Sequence, residues 1–313
     1  MRYYFAPLEG ITDSIYRRLH HKYFPGIDRY FMPFLSPTIH RTLTHREDRE
    51  LPMADSVDFT AVPQVLTKVP EDFLWAAQVC QDRGYTEVNL NVGCPSGTVV
   101  SKGKGSGMLR NPGELDAFLD QVFAGCPIPI TVKTRLGLEN PEEFPALLEV
   151  FNRYPIAELT VHPRVRKDFY REAVREDWFR YAYENSKNPL CYNGNLCKKE
   201  DISRISEVYP QVESVMIGRA LIGDPGMLAE GTTAKQLKDF HDALTEEYVR
   251  IFGSARNAMF RLKENWGFLH LRFEGSEKLW KLLRKTTDIE EFMSITAEIF
   301  ETLPLADHLK ANW

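Results

Sequence analysis

Between residues 3 and 219 the chain repeats one alternation, a short apolar run followed by a stretch with apolar residues at helical spacing. Eight runs read as strands: YYFAPL (3–8), RYFMPF (29–34), FTAVPQVL (59–66), TEVNLNVG (86–93), IPITVKTR (128–135), AELTVHPR (157–164), PLCYNGN (189–195) and ESVMIGR (213–219). The segments between them carry helix signals. PEDFLWAAQVCQDRG opens on Pro70 with acids in its first turn and stops at Gly84, while NPGELDAFLDQVFAG and KKEDISRISEVYP stop at Gly125 and Pro210. Eight strand–helix units in about 230 residues predict a (β/α)8 TIM barrel, which typically takes ~250 residues. A doubly wound open sheet is the alternative, but it seldom needs eight regular units.

After residue 230 the strand signals stop. LKDFHDALTEEYVRIFG, ARNAMFRLKENWGFLHL, SEKLWKLLRK and DIEEFMSITAEIFETL all carry apolar residues at helical spacing, which predicts a small all-α domain. GTTAKQ at 231–236 marks the boundary, dividing the chain into a barrel domain (1–232) and a helical domain (233–313). The net charge of -5 argues against whole-surface attraction to nucleic acid and leaves room for a local basic patch. The five cysteines are odd in number and form no CxxC pair, which fits free thiols in a reducing cytosol. The CYNGNLC spacing is too wide for the usual metal knuckle, so no metal site is expected. No apolar run approaches the ~20 residues a membrane span needs, and MRYYFAPLEG meets Glu9 before a secretory apolar region could form. The expected location is cytoplasmic, with a monomer favoured.

Strand alternation locates the chemistry, because successive side chains point to opposite faces. Val88, Leu90 and Val92 share one face and Asn89, Asn91 and Gly93 the other. Likewise Ile130 and Val132 oppose Thr131, Lys133 and Arg135, and Leu159 and Val161 oppose Thr160, His162 and Arg164. Val62 and Gln64 share a face near the end of the third strand. With the apolar faces turned to the helices, Gln64, Asn91, Lys133 and His162 converge on the axis at the C-terminal mouth, where such barrels keep their active sites. Burying one lysine or amide without a partner costs several kcal/mol, so four together imply a polar ligand.

Barrels often bind a phosphate with the loops after strands seven and eight. Those ends read YNGN (192–195) and IGRA (217–220), where glycines allow close backbone approach and Arg219 supplies a forked cation. With Lys133 and His162 they suit a phosphorylated, electron-rich ring, and flavin mononucleotide (FMN) meets that description. The Gly-rich KGKGSG at 102–107 follows no strand directly and lacks the GxGxxG spacing, so it is not a dinucleotide fingerprint.

These residues fall in a familiar order. MRYYFAPLEGITD resembles the opening APMxGxTD motif of the tRNA-dihydrouridine synthases, and NLNVGCPSGTVVSKGKGSGMLRNP is similar to their NxGCPxxxVxxxGxGxxLL signature. TVKTRLG, TVHPRVR, YNGN and MIGRA follow as in that family, so the resemblance covers essentially the whole chain. It implies an FMN-dependent reduction of the C5–C6 double bond of a tRNA uridine, with NADPH as electron donor. It further implies that Pro7, Leu8 and Glu9 line the flavin and that Gln64, Lys133 and His162 contact its ring. Asn193, Gly194, Asn195, Gly218 and Arg219 would hold ribityl and phosphate groups. Asn91 would contact the uracil, Cys94 would donate the proton, and Arg164 and Arg166 match a segment near the substrate. That segment usually reads HGRTR and here reads HPRVR, and Asn195 stands where the family often has a carboxylate.

The chemistry explains why a strand should end in a thiol. Hydride delivery to uracil C6 builds charge at C5, and a thiol with an ordinary pKa of ~8.5 is protonated at neutral pH yet acidic enough to quench it. From Arg250 to Lys285 nine Lys/Arg face three Glu with aromatics interleaved, as contact with RNA phosphates requires. The rival readings are an FMN oxidoreductase acting on a free pyrimidine, of the dihydroorotate dehydrogenase kind, and a non-catalytic RNA-binding barrel.

Overall fold

The computed structural model describes residues 1–309. Nine short strands form one parallel sheet: β1 (Arg2–Phe5), β2 (Arg29–Phe31), β3 (Ala61–Val62), β4 (Gln64–Val65), β5 (Val88–Val92), β6 (Ile130–Arg135), β7 (Leu159–His162), β8 (Leu190–Tyr192) and β9 (Ser214–Ile217). Their order is β3-β2-β1-β9-β8-β7-β6-β5-β4. The two ends of this sheet, β3 and β4, are consecutive in the chain and separated only by Pro63. A bridge between Leu35 and Val65 carries the pairing of β2 past that break. The nine strands are thus eight staves of a barrel, the third split where the sequence predicts one strand over 59–66. The cause is Pro63, which has no N–H to give the ladder. Its carbonyl still accepts from Asn89 N at 2.8 Å.

The face assignment holds. Val88, Leu90, Val92, Ile130, Val132, Leu159 and Val161 join the apolar layer under the helices. Tyr4, Ala6, Phe31, Val62, Cys191 and Met216 fill the axis as a separate cluster. Register sets Asn91 of β5 beside Lys133 of β6, and Arg135 beside His162 of β7. All four therefore reach the same end of the barrel. Buried Glu158 sits before β7, accepting from Ser214 Oγ at 2.6 Å and Tyr4 Oη at 3.4 Å.

Helices Ala234–Phe252, Ala255–Leu269, Glu277–Lys285 and Ile289–Thr302 follow the barrel. Thr233 and Gln236 form a capping box at the start of the first, and Gly253, at φ 59°, ends it in the left-handed conformation that glycine adopts without strain. None of the described helices is long and apolar enough to cross a membrane. The seam with the barrel is aromatic and ionic. The Phe240 ring lies 5.5 Å from Tyr16, 5.9 Å from Tyr23 and 5.4 Å from Phe24, the first two on helix Ser14–Tyr23 and the third at its C-cap. Tyr248 Oη donates to Asp13 Oδ1 at 3.2 Å, and Arg261 Nε stands 3.8 Å from Asp13 Oδ2.

A buried aromatic at this seam should carry much of the docking energy. Phe240→Ala is expected to destabilise the protein by about 3–5 kcal/mol, the usual cost of deleting a buried ring, as read by urea unfolding. A loss under about 1 kcal/mol would mean that the seam does not contribute to the cooperative unit.

Candidate active site

The C-terminal strand ends open into a cavity of about 360 Å³ lined by Pro7, Leu8, Glu9, Gln64, Asn91, Cys94, Lys133 and His162, together with Arg135, Phe169 and Tyr170. Eight residues singled out from the sequence are thus brought together. That volume falls in the usual range of about 300–1,000 Å³ for small-molecule sites.

The cavity floor is a relay of amides. Asn91 Nδ2 donates to Gln64 Oε1 at 2.7 Å, Gln64 Nε2 to Asn89 Oδ1 at 2.8 Å, and Asn89 Nδ2 to Thr131 Oγ1 at 2.9 Å. Asn91 Oδ1 accepts the backbone N–H groups of Gly93 at 3.1 Å and Cys94 at 2.9 Å. An amide nitrogen has two N–H groups, so Asn91 and Gln64 each keep one beyond these bonds. The cysteine loop is held from its other side as well. Ser106 N and Oγ donate to the Cys94 carbonyl at 3.1 and 2.9 Å. Arg135 Nε donates to the Gly93 carbonyl at 3.0 Å.

Electrostatically the mouth is cationic. Burial, then Arg135, lowers the Lys133 pKa to about 8, against the weaker pull of Cys191 and Cys94. Its ammonium has no carboxylate or hydrogen-bond partner among the described residues. His162 is pushed well below the usual histidine range by burial and by Arg135, Lys133, Arg164 and Arg219. His162 Nε2 lies 2.9 Å from Arg164 Nη1. A guanidinium only donates, so Nε2 accepts, and the neutral ring carries its proton on Nδ1. Burial raises the Cys94 pKa, opposed by a backbone hydrogen bond from Ser96 and by Arg135 and Lys133. The thiol is therefore protonated at neutral pH.

The loops expected to hold a phosphate lie beyond Tyr170. Its ring is 4.3 Å from the Arg219 guanidinium carbon, 5.2 Å from that of Arg135 and 5.8 Å from the His162 ring. Asn195 Oδ1 accepts from Arg164 Nη2 at 3.2 Å and Arg219 Nη2 at 3.3 Å, so the amide keeps the acceptor role of a carboxylate without its charge. Asn193 Nδ2 donates to the Met216 carbonyl at 2.7 Å, tying β8 to β9. A side chain at Gly194 would overlap the Tyr192 ring. At Gly218 a Cβ would meet only ordinary contacts, 3.4 Å from Ala6 Cβ. Protein packing does not require that glycine, which leaves bare backbone for a ligand.

Three of the expected residues have distinct settings. Glu9 is exposed at the rim and paired with Arg46. Arg164 is 0% exposed, and its guanidinium is engaged by His162, Asn195 and the Glu172 carbonyl at 2.6 Å. It therefore braces the floor. Arg166 lines a second cavity of about 580 Å³ with Gly97, Ser101 and Arg110, its guanidinium carbon 5.4 Å from the ring of Phe169 at the mouth. At both HPRVR departures the backbone carbonyl is engaged. The Pro163 carbonyl accepts from Arg175 N at 2.8 Å, and buried Val165 offers its carbonyl to Arg135 Nη1 at 3.0 Å.

Arg135, Phe169 and Tyr170 were missed by sequence reasoning. The signal for the last two was the FY pair inside the charged, non-periodic stretch RKDFYRE. Phe169 is a non-glycine residue at φ 48°, a strained conformation of the kind that gathers at functional sites. The glycines of KGKGSG also find a role. A Cβ at Gly105, which has φ +57°, would come within 2.9 Å of Cys94 Cβ and 3.0 Å of its carbonyl oxygen.

Fold and mouth together define a parallel-barrel enzyme with a cationic floor and a protonated thiol at its lip. The sequence model of the dihydrouridine synthase (Dus) family matches residues 4–308, and the chain belongs to that family. It is 30% identical over 233 residues to the probable tRNA-dihydrouridine synthase 1 of Synechocystis sp., covering 72% of this chain and 62% of that protein. The tRNA-dihydrouridine synthase B of Pasteurella multocida is 27% identical over 227 residues, covering 72% of this chain and 67% of its own length. The tRNA-dihydrouridine(16) synthase of Pseudomonas putida is 27% identical over 316 residues, covering 95% and 97%. Among solved structures, morphinone reductase shares the fold, with a TM-score of 0.51 at 13% identity, covering 72% of this chain and 84% of that one.

Gly105→Ala should displace Cys94 while leaving the barrel folded, because the new methyl meets backbone as well as a side chain. Thermal unfolding should shift modestly, whereas turnover should fall at least about tenfold, as small displacements of a group that acts at the reacting centre do. Unchanged turnover would show that the loop does not set the thiol's position.

Proposed function

We propose that the protein reduces the C5–C6 double bond of a tRNA uridine to dihydrouridine, with bound FMN, NADPH as reductant and Cys94 as proton donor. The observation that carries this reading is the protonated Cys94 thiol at the lip of a cavity whose floor is Gln64, Asn91, Lys133 and His162. The donor set fits the cofactor. Lys133, Arg135, Arg164 and Arg219 crowd around one neutral imidazole, and a phosphorylated ring that gains negative charge on reduction relieves their mutual repulsion. Held there, FMN would supply redox chemistry: two electrons drawn from NADPH and a hydride for uracil C6.

The chain supplies the rest. Lys133 and the His162 Nδ1–H stabilise charge on the ring, and Gln64 has a spare N–H for its polar edge. Arg219 and the backbone of Gly218 and Asn193–Asn195 hold the phosphate and ribityl groups, with Pro7 and Leu8 as the apolar wall. The spare N–H of Asn91 is positioned for a uracil carbonyl. Cys94 gives its proton to C5, so that the S–H bond breaks as the C–H bond forms. The thiolate left behind is stabilised by Arg135 and Lys133, which already pull the thiol pKa down against burial, and it regains a proton from solvent.

The helical region supports RNA as substrate. Phe260 is 45% exposed with Arg256 and Lys263 each 5.6 Å from its ring, and Trp280 is stacked by His270 at 4.8 Å beneath Arg284 at 5.9 Å. Such cation–aromatic faces suit phosphates and unstacked bases. Lys263 and Arg261 are partly engaged, by the Thr286 carbonyl and by Glu264. This leaves Arg256, Lys281 and Arg284 as the freer charges. The target position follows from how the whole RNA docks. The Pseudomonas relative named for position 16 matches through the helical region, so we assign position 16.

Incubating unmodified tRNA with the protein, FMN and NADPH should place dihydrouridine at position 16. Its appearance elsewhere would contradict the position, and flavin reduction with no dihydrouridine at all would contradict the activity.

The Lys133 pKa gives a second test. Its ammonium loses its proton as pH rises through about 8 in the protein without flavin. The FMN phosphate, with its second pKa near ~6, is already fully ionised there. FMN affinity of the apoprotein should therefore weaken above that pH, approaching about tenfold per unit. Lys133→Gln should bind more weakly at about pH 7 and lose this slope. A flat wild-type profile from about pH 7 to 9.5, read by flavin fluorescence, would remove Lys133 from the site.

A further inference from the structure

The Gly-rich segment KGKGSG does more than pin the thiol. Gly103, at φ +71°, leaves room for Lys68: a Cβ there would lie 3.3 Å from Lys68 Nζ. The ammonium of Lys68 thus rests against the loop between Lys102 and Lys104. Lys104 Nζ donates to Ser36 Oγ at 3.2 Å, two residues past Phe34, which lines the active-site mouth. Lys68, Lys102 and Arg110 line a groove of about 550 Å³ beside this loop, with Glu114 as its one acid among the described residues. Glu114 accepts from Asn111 Nδ2 at 3.0 Å, and nearby Asp72 is paired with Arg41 at 3.2 Å. Burial lowers the Lys104 pKa, and Lys102 and Lys68 lower it further against the pull of Asp72. These cations repel one another, and Asp72, itself shared with Arg41, is the carboxylate that offsets them at Lys104.

On the other side of the mouth the charges are already matched. Arg46 pairs with Glu9, and Arg261 pairs with Glu264 and approaches Asp13. Of the outer charges on these two sides of the mouth, those of the lysine rim are the less matched. A uridine must leave its stack to reach a pocket this deep, and that brings the phosphates next to it down onto the rim.

We infer that Lys68, Lys102 and Lys104, with Arg110 behind them, form an RNA phosphate seat on the barrel itself. It grips the strand beside the extruded uridine, on the opposite side of the mouth from the helical region. This rests on the proposed tRNA substrate and adds where the strand is held. The seat lies directly behind the Cys94 loop, because Gly105 and Ser106 contact Cys94 and Lys102 and Lys104 belong to the same turn.

The test is the triple variant K68Q/K102Q/K104Q in the flavin-loaded enzyme. Equilibrium binding of unmodified tRNA is measured against salt, and NADPH-driven flavin reduction is measured without RNA. Each lost phosphate contact removes about 0.7 to 0.9 from the slope of log K against log salt, so the slope should fall by roughly 2. KM for tRNA should rise, with kcat at saturating tRNA and the KM for NADPH unchanged. A wild-type slope in the variant would overturn the inference. So would a raised KM for NADPH with unaltered RNA binding, since the lysines would then serve the reductant's phosphate. Wild-type enzyme that binds no tRNA would overturn the proposed function itself, and is distinguishable because it needs no variant.

Discussion

The Asn91 side-chain oxygen, accepting the backbone N–H groups of Gly93 and Cys94, is the contact on which the site depends. It converts the last residue pair of β5 into a fixed platform for the thiol. Losing a buried acceptor costs ~1–3 kcal/mol for each donor left unpaired, so the loop has little freedom to drift. Everything nearby is arranged around this bond. Gln64 holds the other end of the amide, Arg135 ties the Gly93 carbonyl, and Ser106 and Gly105 close the loop over Cys94. Positioned in this way, the thiol is kept protonated by burial, as the proposed role of proton donor requires.

Opposed to that economy is a concentration of like charge. Lys133, Arg135, Arg164 and Arg219 surround His162, and buried Asp168, paired with Arg175, is the main carboxylate among them. Partly buried cations massed in one place oppose folding, and sites of this kind give up stability for function. Arg164 limits the damage by donating to a neutral histidine, an amide and a carbonyl. The Tyr170 ring lies 4.3 Å from the Arg219 guanidinium carbon and 5.2 Å from that of Arg135, cation–π contacts that partly offset the crowding of charge. The barrel beneath needs no such compensation: its axis is closed by Tyr4, Phe31, Val62, Cys191 and Met216.

Much of this was legible in the sequence, for a physical reason. The period of two along a strand assigns each residue a face, so the polar ends of β4 to β7 pointed to one mouth before any contact was known. The residues that were not legible belong to segments without a period. Tyr170 and Phe169 lie in an irregular loop whose path is set by Asp168 accepting from Val165 N and pairing with Arg175. Arg164 shared the correct face with His162, but its length let it fold back under the floor, which alternation cannot foresee. The split at Pro63 was visible as a proline inside a strand, yet only the closure of the barrel shows that both halves are used. The KGKGSG glycines could be excluded from dinucleotide binding by spacing, but their true neighbours, Cys94 and Lys68, come from other parts of the chain.

The central claim is that Cys94 gives the proton and does nothing for the cofactor. The most direct measurement is single-turnover oxidation of pre-reduced enzyme by unmodified tRNA, comparing wild type with Cys94→Ala. Removing a positioned general acid should slow this step by about 10² to 10⁴, while FMN binding and NADPH-driven reduction stay near normal. Reoxidation of the alanine variant at the wild-type rate would contradict the account, and the proton would have to come from another group at the mouth.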